Sequence, residues 1–249
     1  AVLLDGAPAG ITGLSAVFTG TDGTEDDIDN TFSAGIYTGF PTIAGVVPLG
    51  DGVVLTTGNV ADAVGPNNSG STGENNGLDG DPDVAALSGV DEDDISDATI
   101  LTLTFTSDES VPGLSFDFVF GSEEFFEFVG GNYNDVFGVF LDGENITFDL
   151  NGEPITVNDN FFELNNTDEV DDEATLGKTQ IDLNMEYDGF TPTLQTNALL
   201  TPGLHSLKFV IADAGDDAGD AAWFPLERMD DLLMTEGTAG VIRKALSML

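Results

Sequence analysis

Acidic side chains stand where several hydrophobic runs of this sequence begin or end. Carboxylate and amide oxygens are the ligands that Ca²⁺ prefers, and the ion takes about six to eight of them. Carboxylates packed at the end of a sheet repel one another unless a cation or protons neutralise them. We therefore predict a calcium site from the following residues, the last two as second choices: Glu123, Glu124, Asn134, Asp135, Asp213, Asp216 and Asp220.

A second acidic segment, Asp79-Gly-Asp-Pro-Asp83, lies in the polar stretch 64–83. Its carboxylates occupy alternate positions, which suits a cation, so Asp79, Asp81 and Asp83 form a separate candidate metal site. The segment lacks the downstream spacing of an EF-hand. A solvated acidic surface, as in proteins from salty surroundings, is the alternative interpretation of all these clusters.

Two polar stretches, 64–83 and 158–179, are too long for ordinary turns, and such loops on a rigid β scaffold often bind ligands. The aromatic residues that follow the two glutamates suit either core packing or stacking on a sugar or peptide. The candidate residues for a glycan or peptide ligand on a cell or matrix surface are Asn67, Asn68, Phe125, Phe126 and Tyr133.

The residue types and their spacing give little support for a catalytic site. Neighbouring strand residues point to opposite faces, so Glu123 and Glu124 would not flank one glycosidic bond. The chain has no cysteine, which excludes thiol catalysis and cysteine-ligated zinc, and its single histidine, His205, enters a predicted strand. We expect a non-catalytic protein, with a carbohydrate hydrolase as the less favoured alternative.

The charge balance excludes other classes of partner. The chain has 46 acidic and 5 basic residues, a formal net charge of −41, so it lacks the basic footprint of a nucleic-acid binder. No apolar run is long enough to predict insertion into a membrane. A hydrophobic content of 41% with 18 Phe indicates a folded domain with an acidic surface.

Hydrophobic residues alternate with polar ones at 101–106, 114–120 and 207–211, which predicts strands with one face on a core. Further strands are predicted at 14–19, 52–57, 135–141, 145–150 and 190–198, with a hairpin turn at Asn151-Gly152. Many short strands favour an all-β antiparallel sandwich or jelly roll over residues 1–225. The helical spacing of apolar residues in 226–249 predicts a short helical tail or linker.

Five segments resemble, in order, the motifs of the choice-of-anchor L domain of bacterial surface proteins. They are VLTTGNVADAVGPNNS (54–69), FVFGSEEFFEFVG (118–130), NYNDVFGVFL (132–141), YDGFT (187–191) and IADAGD (211–216). The resemblance covers roughly residues 10–224 and implies a β-rich module of an exported protein whose anchoring signal varies between members. Residues 226–249 fit no sorting signal.

These observations together lead us to expect a secreted or cell-surface module that binds calcium and serves in adhesion. Calcium would order the strand-end loops, which would present a surface to the ligand. A structural spacer, with the metal only as a staple, is the main alternative. The oligomeric state is not predicted.

Overall fold

Fourteen strands and one α-helix are present in the part of the chain that the computed structural model describes, which is residues 9–23, 31–40, 49–125, 129–158, 162–166, 178–215 and 219–225. Short 3₁₀ segments occur at Val60–Ala63 and Glu92–Asp94. The helix is α1 (Pro82–Ser88). The strands are β1 (Ile11–Thr19), β2 (Ala34–Tyr37), β3 (Gly52–Thr56), β4 (Ile95–Ser107), β5 (Gly113–Ser122), β6 (Val136–Leu141), β7 (Glu144–Asn145), β8 (Ile155–Thr156), β9 (Leu164–Asn166), β10 (Thr179–Ile181), β11 (Gly189–Phe190), β12 (Leu194–Leu199), β13 (Gly203–Ala214) and β14 (Asp220–Pro225).

The strands form two sheets. The first has the order β1-β4-β13-β6-β7, with β8 also paired to β6. The second has the order β10-β9-β11-β5-β14-β3-β2, with β12 also paired to β5. The pairs are antiparallel apart from β9 with β10, so the predicted antiparallel β-sandwich is confirmed.

Aromatic side chains from both sheets fill the space between them. Phe116, Phe118 and Phe120 alternate along β5, and all three belong to the largest core cluster. The Phe118 ring lies 5.2 Å from that of Phe137 on β6, in the other sheet. The alternation seen in the sequence therefore places one face of each central strand on a shared core.

The outer faces are also covered. Tyr187 and Trp223 belong to a second apolar cluster on the outer face of the second sheet. Helix α1 packs Val84 and Ala85 against the outer face of the first sheet. The helix begins with the Asp81 N-cap followed by Pro82 and stops at Gly89, whose φ is +73°. These are ordinary helix start and stop signals, although the sequence analysis assigned the start of this segment to a loop.

The predicted hairpin at Asn151-Gly152 is not formed. Strand β7 ends at Asn145, and the Asp149 carboxylate accepts the N–H groups of Asn151 and Glu153, which closes a local turn. Strands β7 and β8 pair with different parts of β6 instead of with each other. An Asp side chain that binds nearby N–H groups competes with strand pairing, which explains the difference.

The predicted helical tail, 226–249, lies outside the described residues. Within the described ranges, no helix has the length and apolar character needed to cross a membrane.

Candidate metal centre

Three acidic side chains meet at one end of the sandwich. Carboxylate oxygens of Glu124, Asp135 and Asp220 lie within 4.8 Å of one another, and each of these residues is 0% exposed. Asp213 is equally buried, and its charge contributes to the raised pKa of Asp220. We call Glu124, Asp135, Asp213 and Asp220 the inter-sheet acid cluster.

Strand alternation explains why these side chains converge. Residues two apart on a strand share a face. Asp135 stands two residues before the core residue Phe137, and Asp220 stands two residues before the core residue Ala222. Asp220 also pairs in register with Ser122, two residues before Glu124. The ends of β5, β6 and β14 therefore direct carboxylates into the same space.

Asp213 faces the cluster by the same alternation, because it stands two residues after the core residue Ile211 on β13. The pairing of β13 with β4 shifts between Ile211 and Asp213, and Asp213 lies opposite Ser96. Because Ile211 pairs with Thr99, three residues after Ser96, the extra residue of this irregularity lies in β4 and not in β13.

The carboxylates of Asp135 and Asp220 accept few hydrogen bonds from the described residues. Asp135 Oδ1 accepts the Ala214 N–H at 2.6 Å. When both carboxyls are ionised, no donor among the described residues faces Asp135 Oδ2 or either carboxylate oxygen of Asp220, whereas a proton on one of the two side chains allows a hydrogen bond between them. Buried polar atoms are nearly always partnered in native proteins, so three such oxygens in one place require an explanation.

The pKa of Asp220 also indicates that the negative charge of the cluster is poorly compensated by the described residues. Burial raises the pKa of Asp220 well above its usual range, and the neighbouring Asp135, Glu124 and Asp213 raise it further. The two lysines in the described ranges are engaged elsewhere: Lys178 with Glu163 at 3.5 Å and Lys208 with Asp81 at 2.8 Å. Protons or a bound cation must therefore offset the charge of the cluster, as far as the described part of the chain shows.

Asn134, also predicted as a ligand, connects three segments of the chain through hydrogen bonds. Its Oδ1 accepts the Asn158 N–H at 2.9 Å, and its Nδ2 donates to the Ser88 carbonyl at 2.6 Å. Its backbone N–H donates to the Ala214 carbonyl. These contacts fix the chain immediately before Asp135.

Glu123 is separated from Glu124. Its Oε2 accepts the Thr72 N–H at 3.2 Å, and its charged neighbours are Asp188, Glu186 and Asp62. Burial, followed by the charge of Asp188, raises the pKa of Glu123 to about 10. The two glutamates therefore belong to two different acidic groups.

The segment of Asp79, Asp81 and Asp83 has other partners. Lys208 Nζ binds both oxygens of Asp81, at 2.8 and 3.0 Å, and also binds Asp83. Asp81 Oδ1 also accepts the Asp83 N–H and caps α1. Asp79 is exposed, and its backbone forms an isolated bridge with Ser96.

The candidate ligand-binding residues are dispersed. Phe125 is buried in the core, where its ring stacks on Phe162 at 5.0 Å, so it does not form a surface platform. Asn68 is exposed and Tyr133 is half-buried. Asn67 is buried and donates to Asp188 Oδ1 at 2.7 Å.

Two further predicted residues, Phe126 and Asp216, lie outside the described residues. Sequence reasoning also missed Glu186, which is 6% exposed and binds the Thr72 hydroxyl through Oε1 at 3.0 Å. The available signal was the pair of acids that flanks the buried Tyr187.

Comparison with known proteins identifies the family. The family model described as Choice-of-anchor L domain matches residues 15–227, which include both groups of buried acids. No curated protein and no solved structure matches the chain. Because the match spans most of the chain, this protein belongs to the choice-of-anchor L domain family and is a surface-associated bacterial module, secreted or located at the cell surface.

Proposed function

We propose that this module binds Ca²⁺ at the inter-sheet acid cluster and that the bound ion supports a non-catalytic role in adhesion. The observation that carries the proposal is the convergence of the fully buried Glu124, Asp135 and Asp220, in which three oxygens of Asp135 and Asp220 face no described donor. A bound cation would neutralise the cluster and use those oxygens as ligands.

The donor set suits calcium. The four carboxylates of the cluster offer only oxygen, and together they can supply the six to eight ligands, roughly, that Ca²⁺ takes. Mg²⁺ demands a near-ideal octahedron and usually keeps several waters, which fits a fully buried group of carboxylates poorly. The absence of His and Cys from the cluster argues against zinc and copper.

The cluster is connected to the polar loop 64–83 by short steps. Gly219, next to Asp220, donates its N–H to the Thr72 carbonyl at 3.1 Å and accepts the Glu123 N–H at 3.1 Å. Thr57 exchanges hydrogen bonds with Asp220 through its N–H and its hydroxyl. An ion that fixes Asp220 would therefore also hold the base of a loop whose exposed residues, such as Asn68, could meet a glycan or peptide.

Thermal unfolding in EDTA and in Ca²⁺, at fixed ionic strength, tests the metal site. One ion at about 100 times its dissociation constant adds about 2.7 kcal/mol, so we expect a rise in Tm of roughly 5–10 °C. Asp220→Asn should lose this rise, whereas Asp93→Asn, in the exposed 3₁₀ segment, should keep it. An equal rise with Mg²⁺ or NaCl, or an undiminished rise in Asp220→Asn, would contradict the proposal.

The adhesion part is tested on glycan and peptide arrays with the wild-type protein. We expect saturable binding that EDTA reduces and that Asp220→Asn weakens relative to Asp93→Asn. Calcium-dependent stability without any saturable ligand would support the structural spacer instead.

A further inference from the structure

A second group of acids lies on the outer face of the second sheet, beneath the loop 64–83. Glu123, 1% exposed, interacts electrostatically with Asp188, Glu186 and Asp62. Asp62 interacts in turn with Glu74. We call these five residues the outer acid cluster; it shares no residue with the inter-sheet acid cluster.

The loop itself supplies contacts to this cluster. Thr72 donates its N–H to Glu123 Oε2 and its hydroxyl to Glu186 Oε1. Asn67 donates from Nδ2 to Asp188 Oδ1 at 2.7 Å and to the Asn166 carbonyl at 3.0 Å. Two positions of the loop therefore bridge three carboxylates of the sheet and its neighbouring segment.

These donors leave part of the cluster unsatisfied. Asn67 is 5% exposed, and its amide lies against Asp188, yet its Oδ1 has no hydrogen-bond donor within the described ranges. The same holds for Glu123 Oε1 and for the buried oxygens Asp62 Oδ2 and Glu74 Oε2. Asn67 is anchored to Asp188 through Nδ2, and a buried amide oxygen without a described donor is a ligand type that Ca²⁺ takes together with carboxylates.

We propose that the outer acid cluster is a second divalent-cation site, in which Glu123, Glu186, Asp188 and the Asn67 amide oxygen hold a calcium ion beneath the loop 64–83. The proposal is independent of the inter-sheet site. The ion would neutralise carboxylates that no described lysine reaches, since Lys178 and Lys208 pair with Glu163, Asp81 and Asp83. It would also tie the loop to the sheet through Asn67.

The two sites differ in compactness. In the inter-sheet acid cluster, oxygens of three carboxylates lie within 4.8 Å of one another, and no three carboxylates of the outer acid cluster come that close among the described residues. The outer cluster is more open, and Asp62 and Glu74 are only partly buried. An open site retains water and requires more adjustment on binding, so the outer site should bind Ca²⁺ more weakly.

Calorimetric titration of the metal-free protein with Ca²⁺ tests this inference. We expect two ions, bound with two different dissociation constants. Glu186→Gln keeps an acceptor for the Thr72 hydroxyl but removes a charge, and it should weaken the second step at least about tenfold while leaving the first unchanged. Asp220→Asn should weaken the first step and leave the second unchanged. Asp93→Asn should affect neither step.

Amide hydrogen exchange supplies a second readout. Ca²⁺ at concentrations that fill the weaker site should slow exchange in 64–83, and Glu186→Gln should abolish that protection. Asp62→Asn, at a partly exposed position outside the proposed ligand set, is a second variant; it removes a neighbouring negative charge and should weaken the same step by a smaller factor.

The outcomes separate the two proposals. A single ion that is lost in Asp220→Asn would overturn the second site and leave the inter-sheet site standing. A single ion that is lost in Glu186→Gln but kept in Asp220→Asn would support the second site and overturn the first. Two ions that are both unaffected by Glu186→Gln and Asp62→Asn would overturn the outer site.

Discussion

Two acidic regions of this module contain carboxylates in comparable numbers and differ in what surrounds them. In the segment of Asp81 and Asp83, both carboxylates bind Lys208, and Asp81 also caps a helix. In the inter-sheet acid cluster, Asp135 and Asp220 are fully buried and retain oxygens that no described donor faces. Density of acidic residues is therefore a poor indicator of a cation site, whereas burial without a protein partner is a better one.

The largest expected difference between the two regions appears when one carboxylate in each is neutralised and the free energy of unfolding is measured without calcium. In EDTA, Asp220→Asn should raise the free energy of unfolding by at least about 1 kcal/mol, because a raised pKa marks a carboxylate that destabilises the fold when ionised. In saturating Ca²⁺, the same variant should be less stable than the wild type. Urea unfolding in both conditions measures the change of sign.

Asp81→Asn provides the contrast, since it should destabilise the protein in both conditions. Loss of stability in EDTA for Asp220→Asn would mean that its carboxylate has a stabilising protein partner and would end the distinction between the two regions.

A smaller change in stability is expected when Lys208, the partner of Asp81 and Asp83, loses its charge. Lys208→Met keeps the apolar stem near Phe140 but leaves Asp81, whose side chain is 11% exposed, without its partner. We expect a loss of about 1–3 kcal/mol, between the values typical of surface and buried pairs, equal in EDTA and in Ca²⁺. Chemical unfolding in the two buffers measures it.

Glu163→Gln is the matched control: Glu163 is half exposed, its Oε1 lies 3.5 Å from Lys178 Nζ, and we expect loss of this ion pair to cost less than about 1 kcal/mol. A calcium-dependent loss in Lys208→Met would show that the two regions are coupled.

The smallest effect concerns a carboxylate whose partner titrates. His205 Nδ1 lies 2.7 Å from Asp142 Oδ2, and Nε2 lies 2.7 Å from the Thr201 carbonyl. Burial lowers the pKa of His205, but these two hydrogen bonds outweigh it and the net pKa is raised. Burial raises the pKa of Asp142, but the hydrogen bonds from the Ser206 N–H and from His205 outweigh this effect, so the net pKa of Asp142 is lowered.

The sign of the pH dependence follows from these shifts. The Asp142–His205 pair makes its full contribution to the free energy of unfolding between pH 3.8 and pH 6.5, the ordinary pKa values of Asp and His. Its contribution is lost as the pH rises through the raised pKa of His205, or falls through the lowered pKa of Asp142. The Tm difference between the wild type and His205→Gln, measured from pH 5 to 9, should shrink towards alkaline pH in EDTA and Ca²⁺ alike. A constant difference would contradict the assigned pair.

Local patterns were enough to predict the sandwich and one part of the site. Alternation along 114–120 and 207–211 matches strands β5 and β13, and the acids predicted at strand ends include Asp135, directly before β6, and Asp213, near the end of β13. Alternation also indicated that Glu123 and Glu124 would diverge, as they do. The hairpin at Asn151 was predicted wrongly because the Asp149 side chain uses the N–H groups that a strand would need.

The rest of the site depends on contacts between distant segments. Asp220, only a second choice from the sequence, becomes central because β14 pairs with β5 in a register that places it opposite Ser122. Lys208 meets Asp81 across 127 positions of the chain. A single sequence contains no local signal for either contact, because register and partner choice are set by the packing of whole sheets.

The inter-sheet acid cluster also has a consequence for the order of events in folding. Asp135 is bonded to Ala214 across 79 positions and Asp220 to Thr57 across 163, so the cluster assembles only after widely separated strands have met. Closure of such long loops is slow and comes late. An ion that needs the completed cluster has little to bind in the transition state, so it would act as a latch that slows unfolding and leaves the rate of folding nearly unchanged.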